Sequence, residues 1–421
     1  MPPKLDMKLS STDLQILRDI VKQQRELAES PRMQSLQKDW QAHGAFQAGG
    51  RPMVTIELGT FAGDILPGLL LCQGEEARAL EWELRSRLVN HLLFEDDSLI
   101  PGYLPVTIPT SFVPFGLPVT ARHALSSSGE DLGRHFNAQL SDLEEDFHKL
   151  GPSRYEVHLD QALARQAELN ELFGDILPAK LVGHSLYACL TQDIVHIMSM
   201  EDMFFSMYDY PELFHKMMDM LAGDYLAFFD LLEQEDALLP TTAGEHLAQG
   251  SYCFTNELPA QGPLTTRQVW GYMDSQESAG LSPAMYAEFV YPYYERVSSR
   301  FGLYSYGCCE AVDPFWEDCL STATNLRKLS ISPWCKEEKM GEILRNRRIV
   351  YLRKPSPNLL GVGSGLDEDA VREHFRKTAR AASGCKLEIA QRDVYHINNT
   401  PGKVKQYVRL IRESLEEYWK P

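Results

Sequence analysis

The stretch "LYSYGCCEAVDPFWEDCLSTATNLRKLSIS", residues 303–332, sets the reading of the whole chain. A β-rich run from Leu303 reaches two adjacent thiols and an acid, Cys308, Cys309 and Glu310. A helix-like segment follows from Asp313, and a second β-rich run starts at Leu326. Strand, crossover, strand is the signature of a βα unit. The pattern continues on both sides. Upstream, "VWGYMD" (269–274) reads as a strand and "LSPAMYAEFVYPYYERVSSRFG" (281–302) as a helix, with Ser282 at the N-cap and Pro283 in its first turn. Downstream come helix 335–346, strand "RIVYLRK" (348–354), helix 366–382, strand "KLEIA" (386–390) and a closing helix over 400–419. Consecutive β-then-α units predict a parallel sheet, and they fit the second half of a (β/α)8 TIM barrel in the α/β class. A doubly wound sheet is the alternative.

The first half is less regular. Thr12 and Gln15 fit a capping box, and Leu14, Leu17 and Val21 recur at helical spacing. "RPMVTIEL" (51–58) is a short strand after a Gly-Gly turn, and residues 75–93 read as a long helix. An acidic turn at Asp96 and Asp97 then leads into an extended segment. "LPVTA" (117–121) and "YEVHLD" (155–160) read as β runs. The Met- and Phe-rich stretch 191–234 reads as buried helical core, since Met is a common gap-filler. This divides the chain into an N-terminal helical extension, 1–45, and a barrel, 46–421.

The bulk numbers narrow the function. At 421 residues and 44% apolar, the chain can bury a large core. A net charge of −18 argues against nucleic-acid or anionic-membrane partners, which need clustered Lys and Arg. No run approaches the length of a membrane span, and "MPPKLDMKLSSTDLQ" holds no apolar leader region. Eight scattered cysteines in such a chain read as thiols or metal ligands, and the expected compartment is the cytoplasm.

In a barrel of this kind the active site lies where the strands end. That places Asp274 to Glu277, Cys308 with Cys309, Ser332 to Cys335, and Asp393 to His396 on one face. Thiolates suit zinc, and a catalytic zinc keeps three protein ligands with one open position. Cys308 and Cys309 are candidate ligands with Glu277, and either Cys335 or His396 completes the set. Arg392 with Asp393 is a structural ion pair or a substrate clamp. His184 is a core histidine or faces the barrel mouth. "GVGSG" (361–365) resembles a phosphate nest, but Asp367, Glu368 and Asp369 would repel phosphate there.

Three stretches, "SQESAGLSPAMYAEFVYPYYERV", "YGCCEAVDPFWEDC" and "LRKLSISPWC", resemble the uroporphyrinogen decarboxylase superfamily. More closely they resemble a bacterial, largely anaerobic branch that carries "YGCCE" at this strand. The resemblance implies a (β/α)8 barrel. The decarboxylase's arginine-rich N-terminal loop has no counterpart in "RPMVTIELGTFAG". The zinc- and corrinoid-dependent methyltransferases are the other implied chemistry. There the resemblance implies transfer of a methyl group between a small organic donor, or a thiol acceptor, and a corrinoid such as methylcobalamin, with zinc assisting. Tyr306-x-Cys308 stands where that group has His-x-Cys. The implied metal set is Glu277, Cys308, Cys309 and His396. Tyr306, Gln276 and Asp274 are the implied catalytic groups, with His184, Arg392 and Asp393 on the substrate. A corrinoid protein is the implied partner. The competing expectations are a metal-independent decarboxylase or lyase acting on a tetrapyrrole or other carboxylated substrate through Asp96 or Asp97 and Arg392, and a non-catalytic corrinoid-binding protein.

Overall fold

The computed structural model describes residues 9–125 and 131–421. Nine short parallel strands organise it: β1 (Met53–Ile56), β2 (Leu104–Val106), β3 (Ala179–Leu181), β4 (Leu186–Tyr187), β5 (Trp270–Met273), β6 (Leu303–Tyr306), β7 (Leu326–Ile331), β8 (Val350–Arg353) and β9 (Leu387–Gln391). Seven of them form one parallel sheet in the order β1-β9-β8-β7-β6-β5-β4. Trp270 pairs with Leu303, Leu329 with Tyr351, and Met53 with Glu388. β2 and β3 form a separate parallel pair. The strands are buried along almost their whole length because helices cover the sheet, which explains their near-continuous apolar runs. Helices Ser11–Ala28 and Pro31–Gly44 precede β1, and Leu17, Val21 and Trp40 pack with Leu80 and Leu84 of helix Glu75–Val89. None of the helices is long and apolar enough to cross a membrane, among the described residues.

At β1 the ladder stops, and buried N–H groups still need acceptors. The turn after helix Glu75–Val89 supplies them from side chains. Asp97 Oδ2 accepts from Val54 N at 2.8 Å, and Asp96 Oδ2 accepts from Ile56 N at 2.8 Å. Arg51 and Arg412 neutralise Asp97 at 2.9 Å, and Asn90 Nδ2 donates to Asp96 at 2.8 Å. Both carboxylates are therefore spent on holding β1, which removes them from the lyase reading.

Several expected elements differ in detail. The first helix starts at Ser11, with the Ser10 hydroxyl accepting from Asp13 N, so the cap lies two residues before the expected Thr12. Ser282 caps its helix as expected, but that helix breaks at Val290 into Pro283–Phe289 and Tyr291–Ser298. Pro292 causes the break, because its ring clashes with the carbonyl four residues back and it brings no N–H. The helix expected after Asp313 forms only the 3₁₀ turns Asp313–Phe315 and Leu320–Thr322. There the Asp313 side chain accepts from the distant Lys336 N at 3.2 Å. "YEVHLD" is strand only as far as Val157, and of "LPVTA" only Ala121 enters a strand; both strands are antiparallel. Arg154–Val157 pairs with Thr110–Val113, and Ala121–Leu125 with Asp131–Phe136.

A buried ion pair ties β7 to β9. Lys328 Nζ donates to Glu388 Oε1 at 2.6 Å, to Ser251 Oγ at 2.7 Å and to the Tyr252 carbonyl at 2.9 Å. Burial alone would raise the Glu388 pKa, but Lys328 and His43 hold it down to about 2. Stability from this carboxylate is present above its unfolded pKa and is lost as pH falls through about 2. Lys328→Met, which leaves Glu388 buried without its cation, should cost about 3–5 kcal/mol in urea unfolding at neutral pH. The cost should shrink in acid, where the stranded carboxylate takes up a proton.

Candidate active site

The loops leaving β5, β6, β8 and β9 bring together two thiols, two cations and buried acids. The chain leaves β6 at Gly307 with φ 99°, a left-handed turn. A Cβ there would lie 3.0 Å from Ser330 Cβ and 3.2 Å from Val312 Cγ1. This turn buries Cys308 and exposes Cys309, with their sulfurs 3.6 Å apart. Glu310 folds back beneath them. Its Oε2 accepts from Cys308 N at 2.8 Å and its Oε1 from Ser275 N at 3.0 Å, so one carboxylate pins the tips of β5 and β6 together. Burial pushes the Glu310 carboxyl up, and the neighbouring Asp274 adds to the shift.

Lys354 follows β8 and is 4% exposed. Its ammonium donates to Gln249 Oε1 at 2.6 Å and to the Gly307 carbonyl at 3.0 Å. Burial lowers its pKa, partly offset by the Cys308 sulfur. Arg392 follows β9. It grips Glu57 through Nη2 at 3.2 Å and Nε at 3.3 Å, reaches Cys308 Sγ at 3.5 Å, and donates to Gln249 Oε1 as well. Asp393 lies 3.6 Å from the same guanidinium and accepts from Cys309 Sγ at 3.8 Å.

The two thiols are electrostatically unlike. Hydrogen bonding from Cys308 lowers the Cys309 pKa, with Lys354 and Arg392 helping against burial and Asp393. That same hydrogen bond, followed by burial, drives the Cys308 pKa up. Cys309 is therefore the more acidic thiol of the pair, and Cys308 the one that keeps its proton longer.

Asp274, 1% exposed at the tip of β5, is the buried acid with capacity to spare. Its Oδ2 accepts from the Tyr272 hydroxyl at 2.6 Å, while Oδ1 is buried and has no hydrogen-bond partner among the described residues. Burial raises its pKa against the pull of Tyr272, and Glu277 raises it further. A buried carboxyl of this kind stays protonated more readily than an exposed one.

Of the residues singled out from sequence, Asp274, Cys308, Cys309, Arg392 and Asp393 gather here. The remainder do not join them. Tyr306 is buried, its hydroxyl 2.5 Å from that of Tyr286 in the layer between strand and helix. Glu277 is held behind β5, where Thr191 Oγ1 donates to its Oε2 at 2.9 Å, and Gln276 lies partly buried beside it. His184 is exposed, its Nδ1 2.8 Å from the Ser185 carbonyl. His396 is exposed and sits 3.5 Å from Asp64. Cys335 is buried, its sulfur 3.9 Å from the Glu310 carbonyl. The four-ligand zinc set of Glu277, Cys308, Cys309 and His396 thus does not assemble, and no three His, Cys, Asp or Glu side chains converge on a metal position among the described residues. The physical reason is that Glu277 and His396 are already committed to Thr191 and Asp64, away from the sulfurs.

Sequence reading missed Lys354, Gln249 and Glu57. Lys354 carried a signal, because it is the first residue after a strand. Gln249 carried none, since its partners Lys354 and Arg392 are 105 and 143 residues away.

The sulfur geometry predicts an ordered reactivity. Alkylation with monobromobimane at neutral pH should modify Cys309 first. Cys308→Ala removes the proton that stabilises the thiolate, so the pH midpoint for Cys309 labelling should move up. A trivalent phenylarsenical, which needs both sulfurs, should bind the wild-type pair and neither single variant, as read by intact mass.

No protein-family model and no curated protein matches the chain. Among solved structures, a methyltransferase from Methanosarcina mazei is similar to it at 12% identity, with a TM-score of 0.50. The match covers 91% of this chain and 98% of that one, and it shows a likeness of fold.

Proposed function

We propose that the chain is a methyltransferase that moves a methyl group between a small organic donor, or a thiol acceptor, and a corrinoid cofactor, on a sheet closed as a (β/α)8 barrel. The observation that carries this reading is the buried, unpartnered Oδ1 of Asp274 at the tip of a parallel strand. When a methyl group leaves oxygen, nitrogen or sulfur, the bonding electron pair stays on the heteroatom, and a proton delivered there makes departure easier. Tyr272 occupies Oδ2, which leaves Oδ1 as the oxygen that would deliver a proton to the leaving heteroatom. The fold shared with a structure named as a methyltransferase is consistent with this chemistry.

The rim would offer a corrinoid apolar contacts. Tyr187, Trp334, Val362 and Tyr395 all lie at or beyond strand ends and are exposed, Trp334 to 76%. Bound against them, a corrinoid would supply the cobalt centre that exchanges the methyl group. The chain's own residues would hold the donor, and burial favours the protonated form of Asp274. No step is routed through zinc, because the expected ligands do not meet.

The test is anaerobic methyl transfer from a panel of O-, N- and S-methyl compounds to cob(I)alamin, followed by its absorbance. Asp274→Asn should lower turnover by roughly 10²–10⁴-fold. The wild-type rate should fall as pH rises through the raised pKa of Asp274. Full turnover in Asp274→Asn would remove the acid role, and no transfer from any donor would remove the reading.

A further inference from the structure

We propose that Lys354 and Arg392 form a receptor for an anionic oxygen of the substrate, and that Gln249 Oε1 holds that place until the substrate displaces it. The substrate class is then a small methyl donor bearing a carboxylate or sulfonate. The methyl-transfer reading supplies only the word "donor" here. The anion receptor rests on its own geometry.

Two full positive charges converge on one neutral amide oxygen. A carboxylate oxygen accepts such bonds about twice as strongly as a neutral one. Arg392 has Glu57 to balance it, at 3.2 Å. Lys354 makes its hydrogen bonds to an amide and a carbonyl, and no carboxylate lies within ion-pair distance of it among the described residues. A buried ammonium with no carboxylate in direct contact is costly, and an arriving anion reduces that cost. The surrounding protein carries a net −18, so an anion can be held only where cations are locally concentrated, as they are at these two strand tips.

The stand-in is also built to leave. The cations follow adjacent strands β8 and β9 of the main sheet, which fixes them. Gln249 sits at the tip of a short hairpin, His246–Ala248 with Ser251–Tyr252. Its backbone there is unusual: Ala248, Gln249 and Gly250 have φ of 96°, 57° and 78° in succession. Positive φ at Gln249 and Gly250 is the ordinary geometry of a two-residue hairpin turn, and Ala248 at 96° is the one unfavourable residue. Displacing the Gln249 amide therefore requires movement of a side chain on a hairpin tip and not of β8 or β9.

The receptor also adjoins the acid. The Gly307 carbonyl accepts from Lys354 Nζ at 3.0 Å, and the Tyr272 hydroxyl, which donates to Asp274 at 2.6 Å, lies 3.4 Å from the same carbonyl. One carbonyl thus links the anion site to the proton donor. A small molecule anchored by its charge presents its heteroatom to Asp274.

The experiment is a ligand-observed NMR titration of the full chain with methoxyacetate and with its neutral amide, methoxyacetamide. Methoxyacetate should bind more tightly by roughly tenfold or more, the weight of a hydrogen bond to a charged group. Gln249→Glu installs a permanent anion between the cations, so it should abolish methoxyacetate binding and raise Tm. Gln249→Ala removes the competitor and should tighten binding a few-fold. Lys354→Met should weaken it by roughly tenfold. If that variant does not fold, the Gln249 pair still decides. Equal affinity for acid and amide, or unchanged affinity in Gln249→Glu, overturns the proposal. Gln249-dependent binding without methyl transfer to cob(I)alamin would instead sink the methyl-transfer reading and leave the receptor standing.

Discussion

A parallel sheet buried by helices satisfies its backbone polar groups only while the ladder lasts. Where it stops, each buried N–H requires an acceptor from elsewhere. In this protein carboxylates meet that demand at both of the places that matter. At the β1 edge, Asp97 and Asp96 accept from Val54 N and Ile56 N as a neighbouring strand would. At the tips of β5 and β6, Glu310 accepts from Ser275 N and Cys308 N. The second arrangement fixes the thiol pair relative to Asp274, so the geometry of the candidate site is a by-product of backbone satisfaction. It also explains why so acidic a sequence sends several carboxylates inward.

The strands of the second half were legible because burial on both faces leaves unbroken apolar runs, as in "RIVYLRK", and turn residues mark their ends. The antiparallel arms around Thr110 and Arg154 carry the same local signal, and nothing in it says which sheet a strand joins. The segment after Asp313 has helical spacing at Val312, Phe315, Trp316, Cys319 and Leu320, all buried. It is mostly irregular nonetheless, since tertiary contacts override propensity. The resemblance places Tyr306 with Cys308, two residues on, where strand alternation would put both on one face; the left-handed turn at Gly307 (φ 99°) breaks the alternation, and the Tyr306 hydroxyl pairs with Tyr286 instead. Residues beyond a strand end were easier to place, and Asp274, Cys308 and Arg392 are all of that kind. Gln249 could not be read, because its meaning comes only from cations more than a hundred residues distant.

The paired cysteines invited a metal because thiolates are soft ligands. The structure gives them another electrostatic account. A zinc site would need further ligands around both sulfurs, whereas here Arg392 approaches Cys308 at 3.5 Å and Lys354 bonds to the adjoining Gly307 carbonyl. Guanidinium and ammonium groups stabilise a thiolate without coordinating it, and they disfavour a second cation beside it. The same two groups serve both the sulfur and the Gln249 oxygen.

The site therefore divides charge by environment rather than by residue type. Asp274 has the lower intrinsic pKa, yet burial pushes it toward the neutral acid. Cys309 has the higher one, yet a hydrogen bond and two cations pull it toward the anion. Pushing two groups' pKa values in opposite directions is how one site holds a proton donor and an anion side by side at the same pH. Lys354 couples them, since it lowers the pKa of both. An anion bound at Lys354 would offset that effect. It would favour the protonated form of Asp274, as the proposed acid role requires.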